Sequence, residues 1–178
     1  LFYKRFEDLD LNVSHFNLIS GLKGFENWLS NLDAVYIGGG NTKFMLKYWK
    51  ENNLIGLFKE VYNSGIILSG VSAGAACWFD CFLTDSDGPG FKSINGIGLL
   101  TGSFTPHYSD SKRAEKYREN IKNKTLPDGI AVDDGVAVLF IDGKPTEVYS
   151  SRKGHNAYFV NQNKQFNLKE YIKINNEW

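Results

Sequence analysis

A serine flanked by glycines is the residue in this sequence best suited to chemistry. The stretch Gly70-Val71-Ser72-Ala73-Gly74 follows an apolar run at residues 65–68 and precedes helix-forming residues. A strand, then G-x-S-x-G, then a helix is the order of a nucleophile elbow, whose sharp turn exposes the serine hydroxyl at a helix N-terminus. Gly70 and Gly74 suit this turn because the strand and the helix pass too closely for side chains there. We therefore predict that Ser72 is an acyl-transfer nucleophile; the alternative is a plain turn that a serine caps.

A serine nucleophile needs a base, and three histidines are available. His107 follows a predicted strand and precedes a predicted helix, the kind of position at which α/β folds place functional residues. His15 lies within a predicted strand, where a structural or surface role is expected. His155 lies in a turn near the C-terminus, which is typical of a solvated loop residue. We therefore predict that His107 is the base.

A carboxylate is needed to orient the imidazole, and Asp133 and Asp134 follow the predicted strand at residues 129–132. Their alternative interpretation is an Asp-Gly turn, so the residues alone leave the acid open. The resulting order of Ser72, His107 and then the acid differs from the Ser, acid, His order of α/β-hydrolases. This order disfavours an ordinary esterase or lipase.

Alternating strands and helices must position these residues. The first half of the chain predicts strands at residues 12–19, 34–37 and 65–68 and helices at residues 22–32, 43–50, 54–63 and 73–82. The second half predicts a loop at residues 85–90, a short strand within residues 97–104, a helix up to residue 123, and strands at residues 130–132, 136–141 and 146–149. The β-α-β-α-β order predicts an α/β fold with a mostly parallel sheet and helices on both faces, followed by a small C-terminal antiparallel hairpin region.

Composition limits the possible partners and the setting. The chain has 178 residues, 42% of them hydrophobic, which is enough for one domain with a core. Its 20 Lys and Arg balance 20 Asp and Glu, so neither nucleic acid nor a membrane is an expected partner. Cys77 and Cys81 are predicted to share a helix unbridged, which favours a cytoplasmic protein. Because the chain opens on Leu1, we expect one domain over residues 1–178 that lacks its N-terminal strands.

Three motifs resemble one known family when they are taken in order. These are Ile37-Gly38-Gly39-Gly40-Asn41-Thr42, the Ser72 elbow and Pro106-His107-Tyr108. Together they are similar to the peptidase E family of serine peptidases, which includes cyanophycinases, and the similarity extends from about Leu11 to Phe159. The resemblance implies a flavodoxin-like fold akin to class I glutamine amidotransferases. It also implies dipeptides with N-terminal aspartate as substrates. We expect no metal ion and no cofactor.

The resemblance also implies a role for particular residues. The family uses a Ser-His-Glu triad, and its glutamate matches Asp134 better than Asp133, so this chain departs from the family by having Asp. The oxyanion hole would be formed by backbone N–H groups of Gly39, Gly40 and Ala73. Two further residues are substrate-binding candidates: Arg113, for an aspartate side chain, and Asp87, for a substrate amine. Their alternatives are a solvated helix face for Arg113 and a loop-structuring role for Asp87.

Three functions follow from these observations. The first is a serine exopeptidase or dipeptidase that acts on small peptides, as a monomer or homodimer, through an acyl-enzyme. The second is a cyanophycinase-like hydrolase of β-aspartyl links. The third is a non-catalytic binding protein that kept the fold, which the Asp in place of Glu makes conceivable.

Overall fold

The computed structural model describes residues 3–174 and divides the chain into two compact units, residues 1–33 and 34–178. The first unit contains 3₁₀ turns at Tyr3–Arg5 and Leu18–Ser20 and the short helix α1 (Phe25–Ser30). Rings of Phe16, Phe25 and Trp28 pack together in it, with centroids 5.0–5.9 Å apart. This unit forms no strand among its described residues.

The second unit begins with a β-α-α-β segment that ends at the serine turn. Strand β1 (Ala34–Ile37) is followed by helices α2 (Thr42–Glu51) and α3 (Leu54–Asn63), and strand β2 (Ile67–Gly70) then pairs with β1 in parallel. The Asn41 side chain caps α2 by accepting from the Phe44 backbone N–H at 2.8 Å. A helix N-cap of this kind satisfies a backbone donor that would otherwise lack a partner.

A six-stranded sheet forms the larger part of the second unit. Its members are β3 (Phe79–Thr84), β4 (Lys92–Asn95), β5 (Leu100–Thr105), β6 (Gly129–Val132), β9 (Ala157–Val160) and β10 (Gln165–Asn167), in the spatial order β10-β9-β6-β5-β3-β4. The strands β3, β5 and β6 run parallel, and β4, β9 and β10 are antiparallel to their neighbours. The sheet is therefore mixed where the sequence predicted a mostly parallel one, because β4 and β10 follow their partners through short loops instead of crossover helices.

Apolar residues on both faces of this sheet are covered. Alternation along β6 sends Ile130 and Val132 into one buried cluster and Ala131 into another. The second cluster contains Tyr117 and Ile121 of helix α5 (Ser111–Lys122). The first cluster contains residues of helix α6 (Leu168–Ile174) and of the hairpin formed by β7 (Val136–Ile141) and β8 (Lys144–Ser150). The predicted α/β class and the C-terminal antiparallel hairpin are thus confirmed.

Several predicted elements differ from the structure. The predicted strand at residues 12–19 does not form, because residues 12–17 are irregular and Leu18–Ser20 is a 3₁₀ turn, and the helix predicted at 22–32 is shortened to Phe25–Ser30. The helix predicted at 73–82 is wrong beyond its first turn: helix α4 spans only Ala73–Ala76, and Cys81 lies in β3, so the two cysteines do not share a helix. Pairing of β3 with strands on both sides outweighs the helical tendency of this stretch.

Among the described strands and α-helices, four were not predicted from the sequence, namely β4, β9, β10 and α6. The helix predicted up to residue 123 is confirmed as α5, and the Asp110 carboxylate caps it by accepting from the Arg113 N–H at 2.9 Å. Both cysteines are free. Among residues 3–174, none of the helices is both long enough and apolar enough to cross a membrane.

Candidate active site

Ser72 lies at the turn between β2 and helix α4 (Ala73–Ala76) in an unusual backbone conformation, with φ 54° and ψ −114°. A non-glycine residue at positive φ carries strain that the surrounding structure must hold in place. The two flanking glycines permit this. A Cβ at Gly70 would lie 2.9 Å from the Ile37 carbonyl oxygen, and one at Gly74 would lie 2.8 Å from that of Gly38. The close approach predicted from G-x-S-x-G is confirmed.

His107 follows the end of β5 and also has a positive φ, of 55°. The next residue, Tyr108, donates its backbone N–H to the Val132 carbonyl at 3.0 Å. This bond fastens the loop that carries His107 to the end of β6, immediately before Asp133 and Asp134. The parallel pairing of β5 with β6 thus brings the histidine and the two carboxylates to one edge of the sheet.

A continuous chain of hydrogen bonds joins Ser72, His107 and Asp134. His107 Nε2 lies 2.9 Å from Ser72 Oγ, and His107 Nδ1 lies 2.5 Å from Asp134 Oδ1. In the tautomer that fits both contacts, Nδ1–H donates to the carboxylate and Nε2 accepts from the serine hydroxyl. An imidazole held in this way can take the serine proton during attack.

The Asp134 carboxylate is kept in its charged form by its neighbours. The hydrogen bond from His107 is the main cause that lowers the pKa of Asp134, opposing partial desolvation, and the nearby charge of Arg152 adds to it. The Ser109 hydroxyl also donates to Asp134 Oδ2, at 3.4 Å. A carboxylate held in this state is suited to orient and stabilise an imidazolium.

Asp133 has a different set of contacts. It is buried, its Oδ2 accepts from the Asn156 backbone N–H at 2.9 Å, and its own N–H donates to the Asn156 carbonyl at 3.0 Å. These bonds link the end of β6 to the segment that enters β9.

The other two histidines have contacts elsewhere. His155, just before Asn156, belongs to a turn in which its N–H donates to the Arg152 carbonyl at 3.3 Å. His15 contacts Tyr3 in the first unit, with His15 Nδ1 at 2.6 Å from the Tyr3 hydroxyl.

The residues predicted to form an oxyanion hole lie beside Ser72. A Cβ built at Gly39 would be 3.3 Å from Ser72 Cβ and 3.9 Å from Ser72 Oγ, so this backbone passes directly alongside the serine. Gly40 and Ala73 line the same pocket as Ser72 and His107. Ala73 is the first residue of α4, and a first helical N–H has no carbonyl within its own helix to bond. The position therefore suits a developing negative charge.

The pocket beside Ser72 and His107 has a volume of about 110 Å³ and includes Arg113 and Asp85 in its lining. The Arg113 guanidinium is buried and forms an ion pair with Asp85, with Nη2 at 2.8 Å from Oδ2. The alternative of a solvated helix face for Arg113 is thus wrong. Asp85 was not selected from the sequence, although its place directly after a sheet strand would have indicated it.

Asp87 is not part of the pocket lining. Its carboxylate forms ion pairs with Lys43 and with Lys92, the latter at 3.6 Å. The Lys43 hydrogen bond is the main cause that lowers the pKa of Asp87. In the same loop, the Ser86 carbonyl accepts from Asn41 Nδ2 at 3.2 Å. These contacts fasten the loop to the start of α2, which is the structural role left open for Asp87.

A serine, a histidine and a carboxylate in hydrogen-bond contact, carried on the strand ends of an α/β fold, define the class of serine-type hydrolases. Comparison with known proteins gives the family. The model of peptidase family S51 matches residues 1–148, and the chain belongs to this family. It is therefore a hydrolase of the serine peptidase type.

Individual relatives agree with this membership. The chain is 41% identical to the uncharacterized peptidase YgaJ of Bacillus subtilis strain 168 over 89% of its own length and 70% of that protein. It is 28% identical to peptidase E of Haemophilus influenzae over 82% of its length and 70% of that protein. A crystal structure of a peptidase from an acI-B1 Actinobacterium has a similar fold, with a TM-score of 0.66 at 14% identity, over 93% of this chain and 70% of that one.

Proposed function

We propose that this protein is a serine exopeptidase that releases a residue from small peptides through Ser72, His107 and Asp134. The observation that carries the proposal is the unbroken hydrogen-bonded path from Ser72 Oγ through both ring nitrogens of His107 to Asp134. Family membership supplies the reaction class, and the path supplies the means of activating an otherwise weak nucleophile.

The proposed reaction has two halves. Ser72 Oγ attacks the scissile carbonyl carbon while its proton passes to His107 Nε2, and the carbonyl oxygen becomes an oxyanion beside the N–H groups of Gly39, Gly40 and Ala73. Collapse of this intermediate breaks the C–N bond, and His107 returns the proton to the leaving amine. Water then attacks the Ser72 ester while His107 accepts its proton, and His107 passes that proton to Ser72 Oγ as the ester C–O bond breaks, which frees the acid and restores the serine. Protein groups handle every proton and charge, so the proposal includes no metal ion or cofactor.

The size of the pocket supports small substrates. Its volume of about 110 Å³ is below the roughly 300–1,000 Å³ of pockets that hold drug-sized ligands. A pocket of this size fits a short substrate better than an extended stretch of chain. An exopeptidase or dipeptidase fits this better than an enzyme that grips several residues on both sides of the cleaved bond.

A preference for N-terminal aspartate is the second candidate; it would require the Arg113 guanidinium, which lines the pocket, to exchange its partner Asp85 for the substrate carboxylate. A β-aspartyl link as the substrate and a purely binding role remain the further alternatives.

We also propose a flavodoxin-like arrangement of the single domain, supported by parallel β1-β2 and β3-β5-β6 pairings. A cytoplasmic setting is proposed because both cysteines are free; monomer or homodimer stays a prediction.

The test is a dipeptide panel assayed by amino-acid release with the wild type, Ser72→Ala and Ser64→Ala. Ser64 is an exposed residue that follows α3, so it is the matched control. We expect Ser72→Ala to lose activity by several orders of magnitude and Ser64→Ala to keep it. Full activity in Ser72→Ala would assign the chemistry to another nucleophile. No release from any peptide, with no labelling by a serine-reactive phosphonate, would favour the binding role.

A further inference from the structure

The Arg113 guanidinium already contacts three groups of the protein itself. Nη2 contacts Asp85 Oδ2 at 2.8 Å, Nη1 donates to the Leu83 carbonyl at 3.3 Å, and the group lies 4.9 Å from the centre of the Phe91 ring. Only 7% of the Arg113 side chain is exposed. A guanidinium held in this way has its positive charge already neutralised, so a substrate carboxylate gains little by approaching it.

The Asp85 carboxylate is the accessible member of the pair. Asp85 directly follows β3, lines the pocket with Ser72 and His107, and leaves 61% of its side chain exposed. Partial burial acts to raise the pKa of Asp85, but the hydrogen bond and the charge of Arg113 outweigh it and hold that pKa below its ordinary value. The pocket therefore presents the exposed Asp85 carboxylate to a substrate, whereas the Arg113 guanidinium is almost fully buried.

We propose that Asp85 binds the terminal ammonium of the substrate, and that Arg113 is a positioning residue for Asp85 and not the receptor of a substrate carboxylate. This inference rests on the proposed peptidase function and names its substrate class: small peptides with a free amino terminus and an uncharged first side chain. An ammonium and a carboxylate form a strong charge-assisted hydrogen bond. An acidic first side chain would instead meet the negative charge of Asp85, and the described residues that line the pocket include no Lys or Arg besides Arg113 to offset it.

The selectivity can be measured on three peptides that share one leaving residue: Ala-Leu, N-acetyl-Ala-Leu and Asp-Leu. For the wild type we expect kcat/KM for Ala-Leu to exceed the values for the other two by about tenfold or more. In Asp85→Asn, KM for Ala-Leu should rise about 10- to 100-fold with kcat changed only a few-fold. The N-acetylated peptide should be unaffected, and Asp-Leu should gain relative to Ala-Leu because Arg113 has lost its partner.

Two companion variants separate this role from a structural one. Glu115→Gln removes one negative charge from an exposed position on α5 and should leave the ratios unchanged. Asp85→Glu keeps the carboxylate, so it should retain the preference for a free amine even if Asp85→Asn folds poorly. For Arg113 we compare two variants by their preference for the free amine. Arg113→Lys, which keeps a positive charge beside Asp85, should keep more of this preference than Arg113→Met.

The inference is overturned if the wild type hydrolyses N-acetyl-Ala-Leu as well as Ala-Leu, if it prefers Asp-Leu, or if Asp85→Asn lowers all three rates equally. Those outcomes leave the peptidase function standing as long as hydrolysis depends on Ser72. Absence of any Ser72-dependent hydrolysis would instead overturn the proposed function together with the inference.

Discussion

A methyl group added at Gly74 tests how tightly the serine turn is packed. A Cβ built there would lie 2.6 Å from the Ile37 carbonyl carbon, 2.8 Å from the Gly38 carbonyl oxygen and closer still to that of Ile37. Non-bonded carbon atoms are separated by about 3.5–4.0 Å at their optimum, so the backbone must move by about 1 Å. None of the three atoms belongs to a side chain that can rotate away.

Two opposing effects set the magnitude of Gly74→Ala. The higher helix propensity of Ala favours the variant by about 1 kcal/mol, whereas overpacking against a rigid neighbour costs about 1–3 kcal/mol. Because the clash is with backbone, we expect the cost of overpacking to exceed the gain in helix propensity. The free energy of unfolding should therefore fall by about 1–2 kcal/mol. Moving Ile37 also moves the adjoining Gly38–Gly40 loop beside Ser72, and a displacement of that size lowers kcat/KM by about 100-fold.

Gly56→Ala is the matched control. Gly56 lies within α3, and a Cβ there meets no heavy atom within 4 Å. The same substitution should therefore raise the free energy of unfolding by about 0.5–1 kcal/mol with activity retained. Denaturant titration and peptide hydrolysis measure both variants. The reasoning is refuted if Gly74→Ala matches Gly56→Ala in stability and activity.

Three further predictions concern other parts of the structure. Asp134→Ala should lower kcat by about 10²–10⁴-fold. Asp133→Ala should mainly lower the free energy of unfolding, by about 1–3 kcal/mol, because it leaves the Asn156 N–H unpaired. Equal losses of kcat in the two variants would contradict these different roles. The lowered pKa of Asp134 stabilises the fold at pH values above the ordinary value of 3.8, and this contribution is lost as the pH falls through the lower, folded-state pKa. The Tm gap between wild type and Asp134→Ala should accordingly shrink in acid, and a constant gap would be inconsistent with it. Tyr117→Phe removes a fully buried hydroxyl that bonds Ser103 Oγ at 2.8 Å, so Tm should fall at unchanged kcat, and an unchanged Tm would count against that bond.

The part of the fold next to the motifs was the most predictable from sequence. The spacing of G-x-S-x-G implies a strand, a turn and a helix start, and β2, Ser72 and α4 follow in that order. The α5 helix was predictable because Asp110 is a strong N-cap before a polar, helix-forming run. Such signals are local, so a single segment contains all the information that they need.

Elements that depend on distant partners were missed. The stretch from Phe79 to Thr84 becomes β3 because β4 and β5 pair with it on either side, and neither pairing is visible in the stretch itself. The β9 strand, Ala157–Val160, is short and follows a turn-rich segment, so its pairing with β6 is equally hidden. The split of the parallel strands into two sheets also follows from long-range pairing.

In the candidate site, too, local motifs were predictable from the sequence and long-range contacts were not. Ser72 and His107 were chosen from motifs, and the structure places them in hydrogen-bond contact. The choice between Asp133 and Asp134 needed the family resemblance, since both carboxylates follow β6 and only three-dimensional contacts separate them. Asp85 was overlooked because β3 was assigned as helix, which hid the fact that this carboxylate stands at a strand end.

The central claim is that His107 activates Ser72 as a nucleophile, and covalent labelling tests it most directly. Wild-type protein, Ser72→Ala and His107→Ala are treated with a fluorophosphonate, and the modified residue is located by mass spectrometry. We predict that wild type is labelled on Ser72 alone, that Ser72→Ala is not labelled, and that His107→Ala is labelled at a rate lower by about 100-fold or more. Labelling on a different serine, or an unchanged rate in His107→Ala, would contradict the account.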